Sequence, residues 1–286
     1  MIKEDFYSMF SYDKECVYDG ELYSFVEDIL LPNRKILPKL YRYSPSNYYN
    51  IRGLETQNLF LSTIGTMNDI FEGLACEIDD KVLNNIDRYS DIAYLKSFSE
   101  EKDNLLMWAH YADNYCGMCV EYDFSKLSEA ALYHLFPVYY SNKRFTKQDL
   151  NYTISNLYWL KIAQEEGNSP DETFWLKDIM YLFLVKPKCW EYEKEWRLVG
   201  TFPQVTDDAE NIGDEELAKF YNISQKISVK DCVTAVYLGA RMKKDIKEHI
   251  SEICNEKLPN VKVFSAKLSK DRYALEFIQY DENKKM

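Results

Sequence analysis

The residues with the most chemical potential lie in one run, Cys189-Trp190-Glu191-Tyr192-Glu193-Lys194-Glu195-Trp196-Arg197-Leu198-Val199. Glutamates alternate with aromatic or basic residues, and the run then turns apolar. Aromatic and β-branched residues suit a half-buried pleat, so the run reads as a turn feeding a strand. Residues two apart on an extended chain share a face. Glu193 and Glu195 are therefore expected side by side, with Glu191 joining them if the extended conformation starts early. Adjacent carboxylates repel and raise each other's proton affinity. A chain keeps such a pair for a metal, for a polar ligand, or because water screens it. The flanking tryptophans argue against a fully solvated run.

Other reactive types are sparse. Asn68-Asp69 reads as an Asx-type turn with Glu72 on its rim. Trp108, His110 and Tyr111 fall on one expected helix. Trp108 reads as core, and His110 either as a half-buried, backbone-bonded residue or as a base or phosphate partner near neutral pH. Cys116-x-x-Cys119 is the one close cysteine pair, and the three histidines, His110, His134 and His249, do not sit at zinc-ligand spacing. The pair reads as ordinary strand residues, and no metal is expected. An odd cysteine count of 7 without an export signal points to reduced thiols.

Positioning elements follow from periodicity. Helices are expected over 20–31, in the late forties to early fifties, over 104–112, 147–165, 171–184 and 242–257. Strands are expected at 40–43, 58–63, 92–99, 118–122, 136–140, 233–238, 261–268 and 274–280, the last two as a hairpin. Residues 203–216 read as an acidic loop. This irregular alternation implies an α+β fold with mainly antiparallel pairing. No composition shift divides the 286 residues, so one domain over 1–286 is expected, its core at about 38–280 and a helical insertion at about 146–185.

The net charge of −12 disfavours broad DNA coating but leaves room for a local basic groove from Lys143, Arg144 and Lys147, Lys186 and Lys188, or Arg241, Lys243 and Lys244. Glycine-rich phosphate fingerprints are absent among only 9 glycines. With no membrane-length apolar run and no signal peptide at Met1–Asp5, a cytoplasmic protein is expected.

Taken in order, Leu40-Tyr41-Arg42-Tyr43, Leu61-Ser62-Thr63, Asn68-Asp69-x-Phe71-Glu72, Ser97-Phe98-Ser99, Met107-Trp108-Ala109-His110-Tyr111, Gly117, Trp190 to Arg197 and Tyr237-Leu238-Gly239 resemble a bacterial family catalogued as domain of unknown function 2971. A second resemblance, to ADP-ribosyltransferases, rests on an arginine on a first strand, Ser-Thr on a second and Glu-x-Glu at the mouth of a later one. It implies a split-sheet core and NAD as substrate. In that likeness Arg42 binds a phosphate or ribose of NAD, with Arg52 as its competitor, because a guanidinium fork donates two parallel hydrogen bonds. Ser62 and Thr63 floor the nicotinamide pocket, and Tyr43 or Trp196 stacks the nicotinamide. Glu195 grips the ribose hydroxyl and steadies the oxocarbenium-like transition state, while Glu193 faces the acceptor as orienter or base. Asn68, Asp69, Glu72, Trp108, His110, Trp196 and Arg197 are expected as supporting residues. The expected activity is that of a toxin or antiphage effector modifying a macromolecule, single-stranded nucleic acid ahead of protein, with an antitoxin as partner by analogy. Two alternatives stand beside it. One is a magnesium nuclease using Asp69 and Glu72. The other is a non-catalytic sensor or partner-binding module.

Overall fold

The computed structural model describes residues 39–64, 67–73, 93–127, 135–144, 184–201 and 226–281. Its strands are β1 (Leu40–Ser44), β2 (Asn58–Phe60), β3 (Ser62–Thr63), β4 (Ala93–Ser99), β5 (Met118–Tyr122), β6 (Leu135–Pro137), β7 (Tyr139–Ser141), β8 (Val185–Pro187), β9 (Glu195–Thr201), β10 (Lys226–Ser228), β11 (Val233–Leu238), β12 (Lys262–Leu268) and β13 (Leu275–Gln279). Among the described residues three α-helices accompany them: α1 (Tyr48–Glu55), α2 (Leu105–His110) and α3 (Lys244–Lys257). The helices expected over 20–31, 147–165 and 171–184, and the acidic loop over 203–216, lie outside the described residues apart from Leu184, at the edge of the second stretch.

A nine-stranded sheet runs β13-β12-β11-β5-β1-β4-β9-β6, with β3 also paired to β4. Neighbours in it are antiparallel except β11 and β12, which α3 joins as a crossover. The α+β expectation holds at this level, with a large and mostly antiparallel sheet. The terminal hairpin forms between β12 and β13. Among the described residues no helix is long and apolar enough to cross a membrane.

Two expected strands are each broken in the structure. Residues 58–63 split at Leu61, because β2 pairs with β10 in a separate ribbon while β3 joins β4. The strand expected at 136–140 splits at Val138, because β6 pairs with β9 and β7 pairs with β8. Pro137 has no amide to donate at that junction. Val138 then donates its own amide to the Glu195 carbonyl.

The two faces of the sheet carry different cores. Leu40, Phe98, Met118, Val120, Leu198, Val236 and Val263 gather with Ile250 and Cys254 of α3 on one face. Tyr43, Trp108, Cys119, Ala235, Tyr237, Ala266 and Leu275 gather on the other, beneath α2. The pairs Tyr41↔Ser99 and Ser99↔Glu195 put Tyr41, Ser99 and Glu195 on the α2 face. Arg42, Phe98 and Trp196, one residue along each strand, are on the α3 face.

Candidate functional site

Local geometry brings the glutamates together by a route different from simple extension. Lys188–Glu193 form a 3-10 turn, and Lys194 closes it in the left-handed conformation at φ 44° and ψ 55°. Strand β9 starts at the next residue. The reversal at Lys194 leaves Lys194 and Glu191 exposed and turns Glu193 and Glu195 inward, to 2% and 4% exposure. Glu191 therefore does not join the pair.

The two carboxylates meet a lysine from the preceding strand. Lys186 of β8 donates to Glu193 Oε2 at 2.6 Å and to Glu195 Oε2 at 3.1 Å. Its Nζ is 3.6 Å from Glu72 Oε1. Arg197 shares a face with Glu195 and donates from Nε to Glu195 Oε1 at 2.8 Å and from Nη2 to Glu195 Oε2 at 3.1 Å. The same guanidinium binds Glu72 as a fork, Nη1 to Oε2 at 2.8 Å and Nη2 to Oε1 at 2.7 Å. Tyr111 donates its hydroxyl to Glu193 Oε1, and Asn68 Nδ2 donates to the Tyr111 oxygen at 3.0 Å. The Glu195 amide donates to the Tyr140 hydroxyl oxygen at 2.8 Å.

Five buried charged side chains thus form one group of three acids and two bases, Glu72, Glu193, Glu195, Lys186 and Arg197. Burial alone would raise the Glu195 carboxyl, but Arg197 and then Lys186 overcome it and hold the group down at about 2. Glu193 moves the other way: burial raises it, Lys186 offsets only part, and the Glu195 charge raises it further. Burial would lower Lys186, yet Glu195, Glu72 and Glu193 raise it above the ordinary lysine range. One carboxylate is firmly ionised and its neighbour holds a proton more readily, a division that acid–base chemistry exploits.

The rim is aromatic and apolar. Lys186 Nζ lies 4.9 Å from the Trp190 ring centre, and Trp190 neighbours Tyr192, which neighbours the exposed His110. Ile70 is 82% exposed, and Phe71 beside it carries the Arg144 guanidinium over its ring at 4.8 Å. Asp69 is buried, and its Oδ1 accepts from the Phe71 amide at 3.0 Å, the Asx turn expected there. Its Oδ2 is buried and has no hydrogen-bond partner among the described residues.

Several sequence candidates stand elsewhere. Arg42 is on the opposite face and donates to the Ser97 carbonyl at 3.2 Å. Ser97 lies on the edge of β4 between its pairing to β1 at Ser99 and to β3 at Leu95, so Arg42 fills the gap where those strands part. Burial lowers both Arg42 and its neighbour Lys96, the latter to about 7 with Arg42 adding to the effect. Arg52 is exposed and pairs with Glu55. Tyr43 is core: its hydroxyl donates to the Glu101 carbonyl at 2.7 Å and its ring meets Trp108 edge-on. Trp108 is fully buried, with Nε1 donating to the Lys102 carbonyl. Ser62 shares the glutamate face through Leu95 and Val199, whereas Thr63 is on the other face, as is Trp196. The sequence offers Lys186 only to a basic groove and Tyr111 only as a helix neighbour of His110, and it does not single out Tyr140. A lysine between Leu184-Val185 and Pro187 was the available signal, since a lysine in an apolar run needs an acidic partner.

The segment that supplies Tyr111, Tyr140, Lys186, Glu193, Glu195 and Arg197 is also the one that matches a known family model. Residues 107–198 match the model of the family described as protein of unknown function (DUF2971). Neither curated proteins nor solved structures returned a match. Asn68 and Glu72 reach the DUF2971 segment from outside it, through Tyr111 and Arg197.

Proposed function

We propose that the Glu193–Glu195 centre transfers the ADP-ribosyl group of NAD to a macromolecular acceptor, as a toxin or antiphage effector. The carrying observation is the opposed proton affinity of two carboxylates around one lysine, Glu195 held ionised and Glu193 raised. When the ribose–nicotinamide bond breaks, its electron pair leaves with nicotinamide and positive charge develops on the ribose. A permanently ionised Glu195 stabilises that charge without needing to lose a proton first. Glu193 takes the proton of the attacking acceptor, a role suited to its raised affinity. Trp190 and Tyr192 replace Tyr43 and Trp196 as the stacking surface, and Arg144 replaces Arg42 as the phosphate partner. The exposed Ile70 and Phe71 favour an unpaired base of single-stranded nucleic acid as acceptor. A silencing partner protein is part of this proposal by analogy with potent toxins.

A second reading, a partner-binding module without turnover, is favoured by one observation. Both oxygens of Glu72 and of Glu195 already accept from Arg197. The Mg²⁺ nuclease reading finds Glu72 engaged by that same fork.

Nicotinamide release by the purified full chain, with total RNA, single-stranded DNA or protein extract, separates these readings. Release that requires one acceptor and falls at least a hundredfold in Glu195→Gln is expected. The variant should fold, because its buried group changes from three acids and two bases to two and two. Equal release by Glu195→Gln rejects the assignment, and no release with any acceptor favours the binding module.

A further inference from the structure

A cleft of about 980 Å³ opens at the far end of the sheet from the glutamates' strand, between α2, the start of α3 and the loop joining β12 to β13. Arg241, Lys247, Lys267, Lys270 and Arg272 line it, in a chain whose net charge is −12. Asp271 is the acid in its wall, and its Oδ1 accepts from Ser269 Oγ at 2.7 Å. Four of the five cations are exposed, but Lys247 is only 5% exposed. Its Nζ donates to Ser265 Oγ at 2.8 Å, and among the described residues it meets no carboxylate. Burial, and then the Lys267 charge, push its proton affinity down. A buried ammonium without an acid is costly unless an anion arrives to share it.

The topology places this lysine where anions bind. β11 and β12 are the parallel pair, and α3 between them makes the crossover. Ligands of such units lie outside the carboxyl ends of the strands, with phosphate near the helix N-terminus. Arg241 and Lys247 flank the start of α3, which no side chain caps, and Leu268 ends β12 in the same cleft. Tyr115 adds a flat surface, with the Arg241 guanidinium 5.6 Å above its ring.

We propose that this cleft binds a nucleoside di- or triphosphate, with Lys247, Arg241 and the cations of the β12–β13 loop on the phosphates and Tyr115 beside the base. The assignment is independent of the chemistry at Glu193 and Glu195.

Calorimetric titration of the full chain with ADP, adenosine, pyrophosphate and a ten-residue oligothymidylate tests it. ADP and pyrophosphate should bind and adenosine should not. Lys247→Met should weaken ADP at least tenfold, and the exposed double change Lys270→Gln with Arg272→Gln should weaken it severalfold. Lys247→Met should melt at or above the wild-type temperature without ligand, which separates loss of binding from loss of fold. Absent ADP binding, equal binding of adenosine, or unchanged affinity in a folded Lys247→Met overturns the proposal. So does oligothymidylate binding that ADP does not displace, which would make the cleft a nucleic-acid surface.

Discussion

Among single residues, Arg197 carries the most consequence. Its guanidinium is fully buried and bridges Glu72 to Glu195, tying the loop after β3 to β9. Arg197→Met would leave three buried carboxylates with Lys186 as their remaining cation among the described residues. Breaking a buried ion pair from one side costs about 3–5 kcal/mol, and urea unfolding of this variant should show a loss of that size. Glu72→Gln leaves two acids with two bases and should cost clearly less in the same measurement. Similar losses in both variants would mean that charge balance within the group is not what stabilises it.

Among the elements, the turn after α2 decides how β1, β5 and β11 come together. Asp113, Asn114 and Tyr115 all adopt positive φ, at 46°, 51° and 70°. This tight reversal brings the Tyr115 carbonyl against the chain at Gly239, where an added Cβ would stand 2.1 Å from that oxygen. The Arg241 amide donates to the same carbonyl at 3.0 Å. Gly239→Ala must therefore push the turn away from β11, against backbone and not against a yielding side chain. Overpacking of this kind costs about 1–3 kcal/mol, and a lower melting temperature is expected. The nucleotide cleft, which Tyr115 and Arg241 line, should lose affinity in the same variant.

For the whole molecule, the buried group makes stability depend on acid. The folded Glu195 carboxyl lies near 2, against 4.5 for the free side chain. Between those values the unfolded chain binds the extra proton, so the contribution is fully present above about 4.5 and is lost as pH falls towards 2. Glu193, whose proton affinity is raised, works in the opposite sense, and acidification relieves its cost. Urea unfolding at pH 7 and at pH 3 should show wild type losing more stability than Glu195→Gln.

Much of this architecture is legible in local sequence. The pleat of Leu40–Tyr43, the Asn104 cap that opens α2, the amphipathic α3 and the terminal hairpin all depend on neighbours a few residues away, which periodicity records. The proximity of Glu193 and Glu195 was legible for the same reason, though it arises through a left-handed Lys194 and not through an extended run. Sheet order was not legible. Whether Arg42 shares a face with Glu195 depends on which residue of β1 meets which residue of β4, and a shift of one reverses the answer. The same long-range pairing brings Lys186 to the glutamates, joins Glu72 to Arg197 across 125 residues and opens the cleft around Lys247. Side-chain types set the demand for partners, since a buried charge must find its opposite. Which partner meets that demand is settled by strand register and crossover, and these form only when distant segments pack.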